Sequence, residues 1–167
     1  AVVLGLTLVQ PASAGSYSAT QVTSIYSATL SGVPWSSSDL AGINSAGSVA
    51  GRTTMIVNSV VQHRAISYVD NMLTQLGTLT GDGASGAADI NTAGTIVGYS
   101  DSKAGYPHAM KVVNGTMTDL GSIARGGSGA WAINDSGLIV GYSIVQGGKS
   151  HAMKYDTRMR DLESLPG

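Results

Sequence analysis

Three segments of the chain align without gaps: GINSAGSVAGR (Gly42–Arg52), DINTAGTIVGY (Asp89–Tyr99) and AINDSGLIVGY (Ala132–Tyr142). A second block follows each of them: RAISYVDNMLTQLGTL from Arg64, HAMKVVNGTMTDLGSI from His108 and HAMKYDTRMRDLESL from His151. Both blocks return at a period of about 44 residues, the signature of an array of one supersecondary unit. This constrains the fold more than any other feature of the chain. A unit so short cannot enclose a core and must share apolar surface with its neighbours. The units are placed at 41–86, 87–129 and 130–167, after a connecting stretch over 15–40.

Each unit reads as four short strands. The Asn-x-(Ala/Ser)-Gly tetrad, as in Asn134-Asp135-Ser136-Gly137, suits a hairpin in which asparagine opens a type I turn and glycine takes the left-handed position. The run after it, TIVGYS or LIVGYS, is continuously apolar, which predicts a strand covered on both faces. A polar loop, a third strand from the His-Ala-Met segment, a turn at Asn114-Gly115 or Asp156-Thr157-Arg158, and a fourth strand ending in Asp-Leu complete the unit. Four strands in such a length match a propeller blade. Abundant glycine (23 residues) and the absence of Phe agree with short strands and tight turns. The expected fold is therefore all-β, a β-propeller-like array of four-stranded antiparallel blades. TQVTSI (Thr20–Ile25) matches TQLGTL at Thr74 and TDLGSI at Thr118, so it reads as an orphan fourth strand before the first unit. Three units and an orphan strand are fewer than a closed ring needs, so the array is expected to be incomplete, a fragment of a longer protein.

The opening AVVLGLTLVQPASA (1–14) has a short apolar run, a breaking proline and an Ala-x-Ala site, the pattern of a truncated signal peptide. The run is less than half of the roughly 20 residues a spanning helix needs, so no membrane span is expected. Export is. Charged residues form only 11% of the chain and the net charge is -1, without any Lys/Arg block. That composition excludes an electrostatic nucleic-acid surface.

The run INDSGLIVGYS…HAMKY…MRDLESLPG resembles the HAF repeat family of extracellular proteins, whose units carry Ile-Asn-x-x-Gly-x-x-Val-Gly-Tyr, then His-Ala-Phe, then Asp-Leu-Gly. Met110 and Met153 stand where that family has its Phe, and Ile66 does so in the first unit. The resemblance covers everything after the leader in three copies. It implies an exported bacterial β-repeat protein and no particular activity, cofactor or site residue.

The three histidines invite a zinc reading, which register opposes: His108 and His151 are equivalent, but their counterpart in the first unit is Arg64, with His63 on the opposite strand face. A His-Asp catalytic dyad is the second idea. A two-residue Asn114-Gly115 hairpin pairs residue 110 with 119 and sets His108 diagonally from Asp119 on one face. The equivalent pair in the first unit is Arg64 with Gln75, which keeps a donor and an acceptor without the proton chemistry. A repeated clamp between the third and fourth strands accounts for both, so neither catalytic nor metal or cofactor residues are assigned. Tyr99 and Tyr142 share a position filled by Arg52 in the first unit, and rim packing is preferred there to sugar stacking.

The functional expectation is a secreted module for extracellular binding or surface structure, taking a protein or a glycan. Ligand contacts are sought where units differ or loops project: Trp35, Arg52, Asp101, Lys103, Arg125 and Lys149. Unpaired strand edges offer a route to self-association. The alternative is a fragment of a propeller-type hydrolase or lyase acting on polysaccharide or lactone, which would need acids and bases converging from several units.

Overall fold

The structure is a computed structural model that describes residues 35–57, 59–70 and 72–163. The expected leader over 1–14 and the orphan strand at Thr20–Ile25 lie outside the described residues. Within them the chain is all-β, with three four-stranded antiparallel sheets and no helix. The first sheet holds β1 (Trp35–Ile43), β2 (Val49–Val57), β3 (Val60–Val69) and β4 (Met72–Gly77). The second holds β5 (Ser85–Ile90), β6 (Ile96–Asp101), β7 (Pro107–Val113) and β8 (Thr116–Gly121). The third holds β9 (Ser128–Ile133), β10 (Ile139–Ile144), β11 (Ser150–Tyr155) and β12 (Met159–Asp161). Every sheet is an up-and-down meander in chain order.

The turns follow from local chemistry. In each first hairpin the tetrad asparagine carbonyl accepts from the glycine N–H at 3.0 Å, and Gly47, Gly94 and Gly137 have φ of 79°, 76° and 82°. That left-handed conformation is the one a Cβ resists. Asn114 and Gly115 both have positive φ, the type I′ geometry that joins Val113 to Thr116 directly and brings Met110 opposite Asp119.

A bulge recurs in the first strand of every sheet, where one residue is extra: between Leu40 and Gly42, between Ala87 and Asp89, and at Trp131 between Ala130 and Ala132. Opposite each bulge stands the glycine of the Val/Ala-Gly step, Gly51, Gly98 or Gly141. A Cβ on Gly98 would fall on the carbonyl oxygen of Gly86, and one on Gly141 on that of Gly129. The repeat therefore demands glycine for space.

The sheets lie face on face in chain order. Ala50 and Ala65 of the first sheet pack against Ala87, Ile90, Ile96, Met110 and Val112 of the second. Val97, Ala109 and Leu120 on the other face of the second sheet pack against Ala130, Ile133, Ile139 and Met153 of the third. β6 is thus covered on both sides, as its unbroken apolar run predicts, with Ile96 4% exposed and Val97 0%; β10, with the same run, is covered on one side only, Val140 being 40% exposed with no described sheet beyond it. Met110 and Met153, at equivalent positions of the second and third sheets, are fully buried in these seams. Along one side of the stack the first strands adjoin, β5 against β1 and β9 against β5.

Polar bonds stitch the same seams. Ser85 Oγ accepts from Ala65 N at 2.9 Å and donates to the Gly77 carbonyl at 2.6 Å, and Ser128 does the same with Ala109 N (2.8 Å) and Gly121 (2.5 Å). Ser100 and Ser143 accept from Leu79 N and Ile123 N, both at 2.9 Å, and all four serines are fully buried. At the other end of the sheets, Asn44 Nδ2 donates to the Asn91 carbonyl at 2.9 Å, and Asn91 Nδ2 to the Asn134 carbonyl at 3.1 Å. Asn44, Asn91 and Asn134 each close their own turn through Oδ1, and the first two also reach into the next sheet through Nδ2.

Candidate functional site

Meander topology sorts the connections. The first and third hairpin turns of every sheet lie at one end, while the second turn and the link to the next sheet lie at the other. Five of the six sequence-derived candidates fall at that second end. Trp35 opens β1, Asp101 closes β6, Lys103 and Lys149 sit in the second turns of the second and third sheets, and Arg125 is in the link from β8 to β9. Arg52 lies within β2, farther from the end.

Their environments differ. Asp101 is a structural group: its Oδ2 accepts from Ala84 N at 2.8 Å, and its backbone N–H donates to the Ala84 carbonyl at 2.8 Å, fastening the link between the first two sheets. Lys103, Arg125 and Lys149 are exposed. Arg125, with Tyr106, His108, Ser122, Ile123, Ala104 and Ala124, lines an open cleft of about 640 Å³ between the β6–β7 turn and the β8–β9 link. The cleft offers a guanidinium and a phenol at its rim and an apolar wall of Ile123 and two alanines. Such a lining can hydrogen-bond and stack a small polar ligand. Lys149 belongs to the equivalent turn of the third sheet and is not among the cleft residues.

A second aromatic and cationic strip runs across the sheets at the repeat position of Arg52, Tyr99 and Tyr142. Arg52 meets the Tyr99 hydroxyl of the neighbouring sheet, and this contact, more than its 3.4 Å pair with Asp39, raises the guanidinium pKa above its ordinary value. Tyr99 lies over Gly86 and Tyr142 over Gly129, each ring occupying the space a side chain on the glycine would take. Trp131, the bulged residue of β9, leans on Tyr142 with ring centroids 5.4 Å apart and remains 64% exposed. Sequence reasoning passed over Trp131. Its signal was departure from the repeat, because Ala41 and Ala88 hold the equivalent bulge positions.

The histidines act as expected in two sheets and not in the first. His108 Nδ1 lies 3.0 Å from both Asp119 oxygens, and His151 Nδ1 lies 3.0 and 2.9 Å from those of Asp161. Each aspartate also accepts from a backbone N–H two residues on, Gly121 or Glu163, at 2.7 Å. The Glu163 bond first, and then His151, hold the Asp161 carboxyl below the usual carboxylate range. The expected Arg64–Gln75 clamp is corrected. Arg64 turns to the Gly83 and His63 carbonyls and to Gln62 Oε1 (2.7 Å), while Gln75 Nε2 donates to Met55 Sδ at 3.3 Å. A guanidinium is longer than an imidazole and finds its acceptors on its own strand and in the link to the second sheet, not on β4. His63 pairs with Thr54 Oγ1 at 3.2 Å. Among the described residues no group of three or more His, Cys, Asp or Glu side chains could hold a metal ion.

In comparisons with family models, curated proteins and solved structures, nothing matches the chain.

Proposed function

We propose that the three sheets are successive blades of a propeller-like array in an exported protein of the HAF repeat kind, and that its task is to bind an extracellular glycan or protein at the loop end. The observation that carries this reading is the gathering of non-repeated polar side chains at one end of a strictly repeated stack. Tyr106 and Arg125 project there beside the open cleft, although nothing in the seams requires them. Scaffold and site are separable in such a molecule: the seams keep their residues while the loops vary. The His-Asp pairs support binding over catalysis, since they recur at equivalent positions and tie one strand to the next. Export through the leader over 1–14 belongs to the same proposal.

The test is a glycan-array screen with the purified chain, followed by titration of any hit against Arg125→Ala and Tyr106→Ala. Binding that falls at least about tenfold in both variants, with unchanged thermal unfolding, supports the proposal. A hit indifferent to both substitutions, or an empty array together with an empty pull-down against extracellular proteins, refutes the site.

A further inference from the structure

The two seams use one set of hydrogen-bond donors and apolar side chains, and the third sheet carries that set a third time with no described sheet packed on it. On the forward faces of the first and second sheets, Ala65 N and Ala109 N donate to a serine hydroxyl oxygen of the next sheet. Asn44 and Asn91 send their amides into the next turn. Val97 and Leu120 of the second sheet, 0% and 7% exposed, fill the seam. Their counterparts on the third sheet are Ala152, Asn134, Val140 and Leu162. Val140 is 40% exposed and Leu162 49%, Ala152 is exposed where Ala65 and Ala109 are buried, and among the described residues Asn134 Nδ2 meets no following turn. The face is apolar at its centre, with the donor positions of the earlier seams, Ala152 N and Asn134 Nδ2, repeated around it.

We propose that this face of the third sheet is a docking surface for a further four-stranded sheet of the same repeat design. The occupant is specified by chemistry as well as by shape. It must bring a serine hydroxyl to Ala152 N, the carbonyl of a turn-opening asparagine to Asn134 Nδ2, and Ile and Met side chains equivalent to Ile133, Ile139 and Met153 onto Val140. Continuity with two established seams selects a repeat sheet over an unrelated apolar ligand, which would leave both donors unmet. The first sheet of a second copy does not qualify, because Met55 and Ile66 on its outward face are already 6% and 0% exposed. This inference does not depend on the ligand site at the loop end.

The experiment extends the chain: a copy of residues 122–161 is joined directly after residue 163, in the register by which 122 follows 121. The extended chain is expected to unfold in one transition above the parent's, with amide exchange at Ala152 slowed at least about 100-fold. Asn134→Asp and Val140→Asp, tolerated in the parent, are expected to lower the melting temperature of the extended chain. An added segment that melts separately, with unchanged exchange at Ala152, overturns the proposal. So does a concentration-dependent dimer of the parent that Val140→Asp abolishes, since that assigns the face to a second copy.

Discussion

Asn91→Asp isolates a single inter-sheet bond. The asparagine is 5% exposed; Oδ1 accepts from Thr95 N at 2.9 Å and Nδ2 donates to the Asn134 carbonyl at 3.1 Å. Aspartate keeps the first bond and replaces the donor by an oxygen facing another oxygen. Loss of the bond costs about 1 kcal/mol, and a partly desolvated carboxylate against a carbonyl adds about 1–2 more, so roughly 2–3 kcal/mol is expected at pH 7. Asn134→Asp is the internal control. Its Oδ1 closes the same turn onto Leu138 N at 2.9 Å, but among the described residues its amide meets nothing, so the expected cost is below about 0.5 kcal/mol. Urea unfolding measures both. With a slope of about 2 kcal/mol per molar, Asn91→Asp should lower the midpoint by about 1 M and Asn134→Asp by a quarter of that or less. Burial and the opposed carbonyl should raise the carboxyl pKa at position 91 in the folded state. The penalty is then full above that raised value, shrinks as pH falls from it toward the unfolded value of about 3.9, and is absent below, where the protonated acid donates again. Equal midpoint shifts for the two variants would refute the forward-reaching amide.

The bulge predicts a contrast between glycines. Gly98→Ala drives a Cβ onto the Gly86 carbonyl and should cost about 3 kcal/mol or more, whereas Gly94→Ala, with φ of 76° and open space around it, should cost about 1–2 kcal/mol in thermal unfolding. Similar losses at both positions would remove the argument from space. Acid should loosen the last hairpin first. The Thr157 N–H, then that of Arg158, hold Asp156 down to about 2, and Asp161 is held low by the Glu163 N–H and His151. Depressed carboxylates stabilise the folded state above their unfolded pKa of about 3.9, and that contribution disappears as pH falls through the folded values. Amide exchange between pH 4 and 2 should therefore quicken in β11 and β12 before the first seam, and Asp156→Asn with Asp161→Asn should abolish the difference; exchange that quickens uniformly would contradict it.

Local chemistry was the legible part. Asn114-Gly115 dictates a two-residue turn, and with it the Met110–Asp119 register and the His108–Asp119 contact, because all three depend on residues close in the chain. The double covering of β6 was equally readable from its unbroken apolar run. The seams' polar bonds were not. Ser85, Ser100, Ser128 and Ser143 look like ordinary loop-edge serines in a linear pattern, yet each closes a bond about 20 residues away in the chain. The asparagine side chains suggested a turn and concealed their second role, which depends on a partner in the next sheet. Arg64 and Gln75 misled because matching donors to acceptors ignores reach. Trp131 was overlooked for lack of attention to the bulge, which turns one residue per sheet out of the pleat and so gives a nonconforming side chain its exposure.

The asparagine relay has a direction: every link gives a hydrogen from the earlier turn to the later one. A stretch of coding sequence duplicated at this period would arrive with matched outgoing and incoming ends, so an array built this way can gain or lose members by recombination without inventing a joint. Inheritance then works on two independent variables, the number of members and the few residues, such as Trp131 or Arg125, in which one member differs from its siblings.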